Sequence, residues 1–243
     1  MNGGVDFQIP FLVASAIGMH ISMTSRSLPP SSQEKVVPSV SESFITLFLH
    51  LQGPDSFKIS AWAASLVEVA NILATHIGPS HIPEGVYGAS AVRFLRTLHP
   101  TPITPIFLAG SLFVIAGGVL RLYCMLTLGK FWSFPLSVRK EHEIITSGPY
   151  SIVRHPSYTG FLLQYVGIVI MHGSQGSWMR QSGILQVPYM KVLATIVLLM
   201  YTAIASVAID RSLVEDKILQ RALGEDWENW AKKVKYSLLP GIY

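Results

Sequence analysis

The chain has 243 residues, of which 13% are charged and 50% belong to the apolar set AVILMFWYC. So little charge could not cover the surface of a soluble protein of this size, and so much apolar content excludes a disordered acidic or basic chain. The net charge of +4 is modest, and the single cysteine, Cys124, excludes an internal disulfide framework and any cysteine-based zinc cluster.

The class that remains is an all-α polytopic membrane protein, whose spans each need about 20 mostly apolar residues. In chain order, the first expected span is Phe7 to Ser25. Its lead, MNGGVD, carries Asp6 and no Lys or Arg, the wrong flank for a cleaved signal, so it is read as a retained span. Loop 26–58, rich in Ser and Pro (LPPSSQEKVVPSVS), is expected to be irregular. Within it, Phe44 to Leu51 is too short to span and is placed at the membrane interface. The second span, Ile59 to Ile77, is weaker and contains Glu68, Asn71 and His76. A charge at mid-membrane costs about 2.5–3.5 kcal/mol, so Glu68 is expected to be paired, with Asn71 one turn away. The third span is Ile103 to Leu128, the fourth Pro156 to His172, the fifth Pro188 to Ile209. Beyond it, a helix to Val234 would put Leu219, Leu223, Trp227, Trp230 and Val234 on one apolar stripe, lying on the membrane with both tryptophans in the interfacial belt. Residues 1–128 and 129–243 are read as one integrated domain, the first part holding three spans and the second the chemical core.

The basic residues are unevenly distributed between the two sides. One side collects Arg26, Lys35, Lys58, Lys130, Arg139, Lys140, Arg154, Arg211, Lys217, Arg221, Lys232, Lys233 and Lys235, whereas the other has Arg93, Arg96, Arg180 and Lys191. The excess places the first side in the cytosol. Arg121, inside the third span near its basic end, is expected to snorkel that way.

All candidate chemistry falls on the basic side. Residues 139–160 read RKEHEIITSGPYSIVRHPSYTG. Pro156 marks a helix start, and free N–H groups there, beside Arg154 and His155, suit an anion. The same composition also describes a plain basic and aromatic cap at a membrane interface. Gly160 and Gly167 lie on one face and would let a helix or a ligand come close. In DRSLVED (210–216), Arg211 and Glu215 share a helix face and would equally serve as a surface ion pair. The eight histidines show no HExxH spacing, and neither a nucleotide-binding glycine loop nor a G-x-S-x-G elbow is present. Cys124 is read as a buried, inert thiol.

Taken together, TSGPYSIVRHPSYTGFLL and, after a last span, DRSLVEDKILQRALGEDWENWAKKVKYSLLPGIY resemble the isoprenylcysteine carboxyl methyltransferase family, with the look of its fungal members. The strong resemblance covers roughly residues 129–243. Parts of it are shared by phospholipid N-methyltransferases and, more distantly, sterol reductases.

The resemblance implies a protein-S-isoprenylcysteine O-methyltransferase of the endoplasmic reticulum membrane, with its active site facing the cytosol. It implies S-adenosyl-L-methionine as methyl donor and prenylated protein C-termini as partners, alongside membrane lipids, without metal or nucleic acid. The cofactor-binding residues it implies are His142, Glu143, Ile144, Ile145, Tyr150, His155, Pro156, Ser157, Tyr158 and Glu215. Arg211 is implied to contact the substrate. No catalytic acid or base is expected, because a carboxylate is already ionised at pH 7 and positioning suffices. The prenyl chain would enter from the bilayer past Gly160 and Gly167. Two departures are visible: Glu215-Asp216 stands where two glutamates are common, and FWSFPLSV (131–138) offers no clear match for a cofactor-contacting glutamine, so nothing is carried over there. The alternatives are a related enzyme acting on a phospholipid, sterol or other small lipid, and a catalytically silent membrane scaffold.

Overall fold

A computed structural model describes residues 7–31, 33–35, 39–76, 86–140 and 142–242. The MNGGVD lead and His81 lie outside these residues. The chain is an all-α polytopic membrane protein. Helices α1 (Gln8–Ser22), α3 (Gly53–His76), α5 (Pro105–Leu128), α6 (Pro156–Gly173) and α8 (Met190–Leu223) correspond to the five expected spans. Three of them, α3, α5 with the turn that follows it, and α8, are long and apolar enough to cross a membrane. The shorter elements are α2 (Val40–His50), α4 (Val86–Thr97), α7 (Trp178–Gln181) and α9 (Glu225–Lys233).

The bundle is built on glycine. α5 and α6 pack along their whole length, and α1 packs on α5. A Cβ on Gly160 would lie 2.8 Å from the Gly117 carbonyl oxygen, and one on Gly167 only 2.6 Å from that of Gly110. Gly118 meets Gly18 of α1 in the same way. These glycines therefore seat helix on helix, the small-residue packing that lets backbones approach in a membrane. The expected prenyl entrance past Gly160 and Gly167 does not exist, because α5 fills that space.

Helix ends explain where the spans differ from expectation. α1 stops at Ser22, short of Ser25, where the Ser22 carbonyl accepts a hydrogen bond from Arg121 Nη2 at 3.0 Å. α5 opens on a Thr104 cap, whose hydroxyl accepts from the Phe107 N–H, followed by Pro105. α8 runs well beyond Ile209. Its 34 residues correspond to about 51 Å, more than the ~30 Å hydrocarbon core, so its last turns carry Arg211 and Glu215 out of the bilayer. Gly224, at φ +53°, ends α8 and turns the chain into α9.

The Ser/Pro segment is more ordered than expected. Lys35 bridges to Ser137, the Val138 N–H donates to the Glu34 carbonyl, and the Ser27 hydroxyl donates to the Trp132 carbonyl. Its described residues up to Lys35 thus form a strap along residues 132–140, and α2 and the first turn of α3 lie further along loop 26–58. The C-terminal tail forms a second strap. The Tyr236 and Ser237 carbonyls accept from the backbone N–H groups of Arg154 and His155, and the Leu238 carbonyl accepts from the Thr159 hydroxyl.

Asn71 and Glu68 do not pair. Asn71 Nδ2 donates to the Leu95 and Leu98 carbonyls, and its Oδ1 accepts from Trp178 Nε1 at 2.8 Å, tying α3 to the end of α4 and to α7. Glu68 is buried and its Oε1 has no hydrogen-bond partner among the described residues. This end of the bundle is opposite the one where the candidate residues gather.

Candidate active site

Three elements converge where α1 ends and α6 begins. The end of α5 supplies Arg121, the turn at Gly148–Ser151 supplies Tyr150, and the start of α6 supplies His155, Ser157 and Tyr158. The far end of α8 brings Arg211 and Glu215, and the extended stretch 142–145 closes the remaining wall. The cavity they line is about 130 Å³. A second cavity of about 570 Å³ adjoins it across His142, Glu143, Ile144, Leu223 and Trp230. The inner one alone is smaller than the roughly 300–1,000 Å³ usual for ligand sites, so a nucleoside-sized ligand requires both.

Of the eleven residues implied for cofactor and substrate, all but one line the inner cavity. The exception is Pro156, which is fully buried and sets the start of α6 rather than facing the space. Ser157 lines the cavity, but its hydroxyl and carbonyl already accept hydrogen bonds from Arg121 Nη1, at 3.0 and 3.1 Å. Arg121 does not snorkel: it is 5% exposed, and its guanidinium turns inward between Trp132 and Phe161. A buried guanidinium joined to α1 and α6 holds three helices at the mouth of the site.

The charged residues pair differently from the sequence expectation. Arg211 and Glu215 do not bond to each other. Glu215 Oε2 accepts from the Tyr158 hydroxyl at 2.7 Å and lies 3.7 Å from His155 Nδ1. Arg211 Nη2 donates to the Phe134 carbonyl and lies 3.2 Å from Glu42 Oε2 of α2, both side chains being 6% exposed. Asp216 engages His155 and Arg154. Its Oδ1 is 2.8 Å from His155 Nε2, and Arg154 donates from Nε to its carboxylate and lies 3.0 Å from it through Nη2. Arg154 also donates to the Val234 and Lys235 carbonyls, so its guanidinium is engaged by Asp216 and the tail. The Glu215-Asp216 pair therefore divides its work: one acid faces the cavity and the other fixes His155.

The stretch FWSFPLSV, from which nothing was carried over, lines the cavity from Phe131 to Ser137. Trp230 does not sit in an interfacial belt: it is 6% exposed and its Nε1 donates to the Tyr150 carbonyl. Glu42 could not be singled out from sequence. Ser39-x-x-Glu42 has the spacing of a capping box, and Ser39 does cap α2 by accepting from the Glu42 N–H. The Glu42 side chain leaves the cap, however, and its Oε1 accepts from the distant Leu136 N–H at 2.9 Å. Cys124 is fully buried beside Tyr150, Met125 and Trp132.

Several polar atoms here have no partner among the described residues although they are buried: His142 Nδ1, Ser133 Oγ, Trp132 Nε1 and Arg211 Nε. Their residues all line the inner cavity, and unpaired buried polar groups of this kind cost about 1–3 kcal/mol each. A polar ligand able to accept and donate hydrogen bonds fits this set. Burial lowers the His142 imidazole below its ordinary value, so it is neutral at pH 7. Burial also holds the Tyr150 phenol well above its usual range, which keeps it protonated. The Glu42 carboxyl lies above its ordinary value, because burial and the nearby Glu215 charge raise it more than Arg211 and the Leu136 N–H lower it.

A further, strongly apolar cavity of about 200 Å³ lies within the bundle between α1, α3, α6 and α8. Met19, Ala61, Ala64, Tyr165, Val197 and Tyr201 are among its walls.

Comparison with known proteins places residues 110–180 on the model of the Isoprenylcysteine carboxyl methyltransferase (ICMT) family. Protein-S-isoprenylcysteine O-methyltransferase B of Arabidopsis thaliana is 39% identical over 64 residues, covering 26% of this chain and 32% of the relative. The probable protein-S-isoprenylcysteine O-methyltransferase of Oryza sativa subsp. indica is 31% identical over 135 residues, 55% of this chain and 60% of the relative. The rat protein-S-isoprenylcysteine O-methyltransferase is 38% identical over 71 residues, 28% of this chain and 25% of the relative. The chain thus spans less than two thirds of the length of these relatives. No solved structure matches it.

Proposed function

We infer that this chain, a member of the isoprenylcysteine carboxyl methyltransferase family, esterifies the C-terminal carboxylate of a prenylated cysteine with a methyl group from S-adenosylmethionine. The observation that carries the reading is Arg211. It is a buried guanidinium whose Nε–H has no partner among the described residues, beside a cavity with polar and apolar walls, at the end of a membrane bundle that holds a separate apolar cavity. Few substrates need a carboxylate site, a nucleoside-sized polar site and a lipid site together.

S-adenosylmethionine supplies a methyl group on a positively charged sulfur. The chain's residues would hold it across the two adjoining cavities. Glu215 suits its ammonium or ribose hydroxyls, His142 Nδ1 and the Tyr150 carbonyl wall suit polar edges, and Ile144 and Ile145 offer apolar surface. Arg211 would hold the substrate carboxylate through its Nε–H. The carboxylate is ionised at pH 7, so no side chain has to remove a proton. The work left to the chain is alignment and exclusion of water, and the two straps over the site support that role. The apolar cavity between α1, α3, α6 and α8 suits the prenyl chain, in place of the path past Gly160 and Gly167. The basic-residue count supports a cytosolic active site, and the family reading supports an endoplasmic reticulum membrane.

Arg211→Ala and Glu215→Ala test the assignment. Both are expected to abolish methyl transfer to N-acetyl-S-farnesylcysteine while the chain still inserts and accumulates. Near-normal turnover in either variant would contradict it.

A further inference from the structure

Glu42 stands outside the family match and outside the cavity wall, yet among the described residues it is the carboxylate nearest to Arg211. Its two oxygens do different work. Oε1 accepts from the Leu136 N–H at 2.9 Å, which fixes the side chain against the segment roofing the cavity. Oε2 lies 3.2 Å from Arg211 Nη2 as a charge contact without a hydrogen bond, and that nitrogen donates to the Phe134 carbonyl. Nη2 is therefore taken, while Nε, which shares an edge of the guanidinium with it, is buried without a partner among the described residues.

We propose that Glu42 is a positioning residue that pairs with Arg211 at Nη2 and offsets part of its charge, leaving the Nε–H to a substrate carboxylate. The inference rests on the function proposed above. Its physical content lies in how charge changes during the reaction. A carboxylate that accepts a methyl group loses its negative charge on the way to the ester. An unopposed guanidinium stabilises the starting carboxylate more than the transition state, and interactions stronger in the ground state raise the barrier. The role of Glu42 is to weaken that ground-state hold without letting Arg211 move. The Ser/Pro strap and α2 thereby become part of the active site, although they carry no residue that touches the reacting atoms.

Glu42→Gln keeps the shape and the acceptor for Leu136 N–H and removes the charge. In the detergent-solubilised full chain, the account expects kcat for N-acetyl-S-farnesylcysteine to fall about tenfold or more. KM and the directly measured Kd for that substrate should stay the same or fall, and the Kd for S-adenosylmethionine should stay within about threefold of wild type. Glu42→Asp, with the charge on a shorter stem, should turn over at a rate between wild type and Glu42→Gln. If Glu42→Gln fails to accumulate, Glu42→Asp carries the test alone, with a lowered kcat at an unraised KM as the supporting result. A Glu42→Gln enzyme with wild-type kcat, or either variant with raised KM and unchanged kcat, overturns the role of Glu42 alone. Absence of transfer by the wild-type chain overturns this inference together with the function it rests on.

Discussion

Asp216 lies 2.8 Å from His155 Nε2 and binds Arg154 with the same carboxylate. One acid on α8 thus orients the histidine that opens α6 and anchors the arginine that gathers the C-terminal tail. His155 is left facing Glu215 through Nδ1, so the two acids act on opposite sides of one ring.

Asp216→Asn should weaken S-adenosylmethionine binding about tenfold, the scale expected when a charged hydrogen bond to a buried group is lost. KM for the prenyl substrate should change less, because Asp216 does not touch Arg211. Equilibrium binding of the methyl donor checks this, and unchanged affinity would show that His155 needs no such support.

The pH dependence of methyl-donor binding should report His142. Burial depresses its imidazole, so the neutral form persists to lower pH than for an ordinary histidine. Affinity is expected to be flat from about pH 8 to 6.5 and to weaken only below that, where a charged ring opposes a cationic ligand. The same depressed value means the folded state binds this proton less readily than the unfolded one. Its contribution to stability is therefore present at neutral pH and lost as pH falls through the folded value. His142→Asn should remove the acid limb of binding, and a limb unchanged in that variant would assign it elsewhere.

Filling the apolar cavity should affect the lipid and spare the methyl donor. Ala64→Phe places a ring in that space and should raise KM for N-acetyl-S-farnesylcysteine about tenfold, with S-adenosylmethionine binding unaltered. Steady-state kinetics at saturating methyl donor measures it. An unchanged KM would place the prenyl chain outside this cavity.

The spans were legible because a bilayer imposes long apolar runs, and five such runs became α1, α3, α5, α6 and α8. The cavity-lining residues from His142 to Tyr158 were legible because they sit in one continuous motif. What could not be read is what distant segments do to each other. Gly160 and Gly167 look alike as helix-packing or ligand-admitting positions until α5 is in place. Arg211 and Glu215 have ideal spacing for an ion pair, and that local geometry is overridden by Glu42 and Tyr158. Glu42 itself reads as a capping residue, since nothing near it in sequence reveals that its carboxylate reaches across to α8. Trp230 misled for the same reason: an amphipathic stripe shows which face is apolar, and only the fold shows whether membrane or cavity wall covers it.

The acceptor decides the function. Membranes carrying the chain should be incubated with methyl-labelled S-adenosylmethionine and, in parallel, N-acetyl-S-farnesylcysteine or phosphatidylethanolamine. A base-labile labelled methyl ester is expected on the farnesylcysteine, with no label in the phospholipid. Label in the phospholipid instead, or transfer to neither, would contradict it.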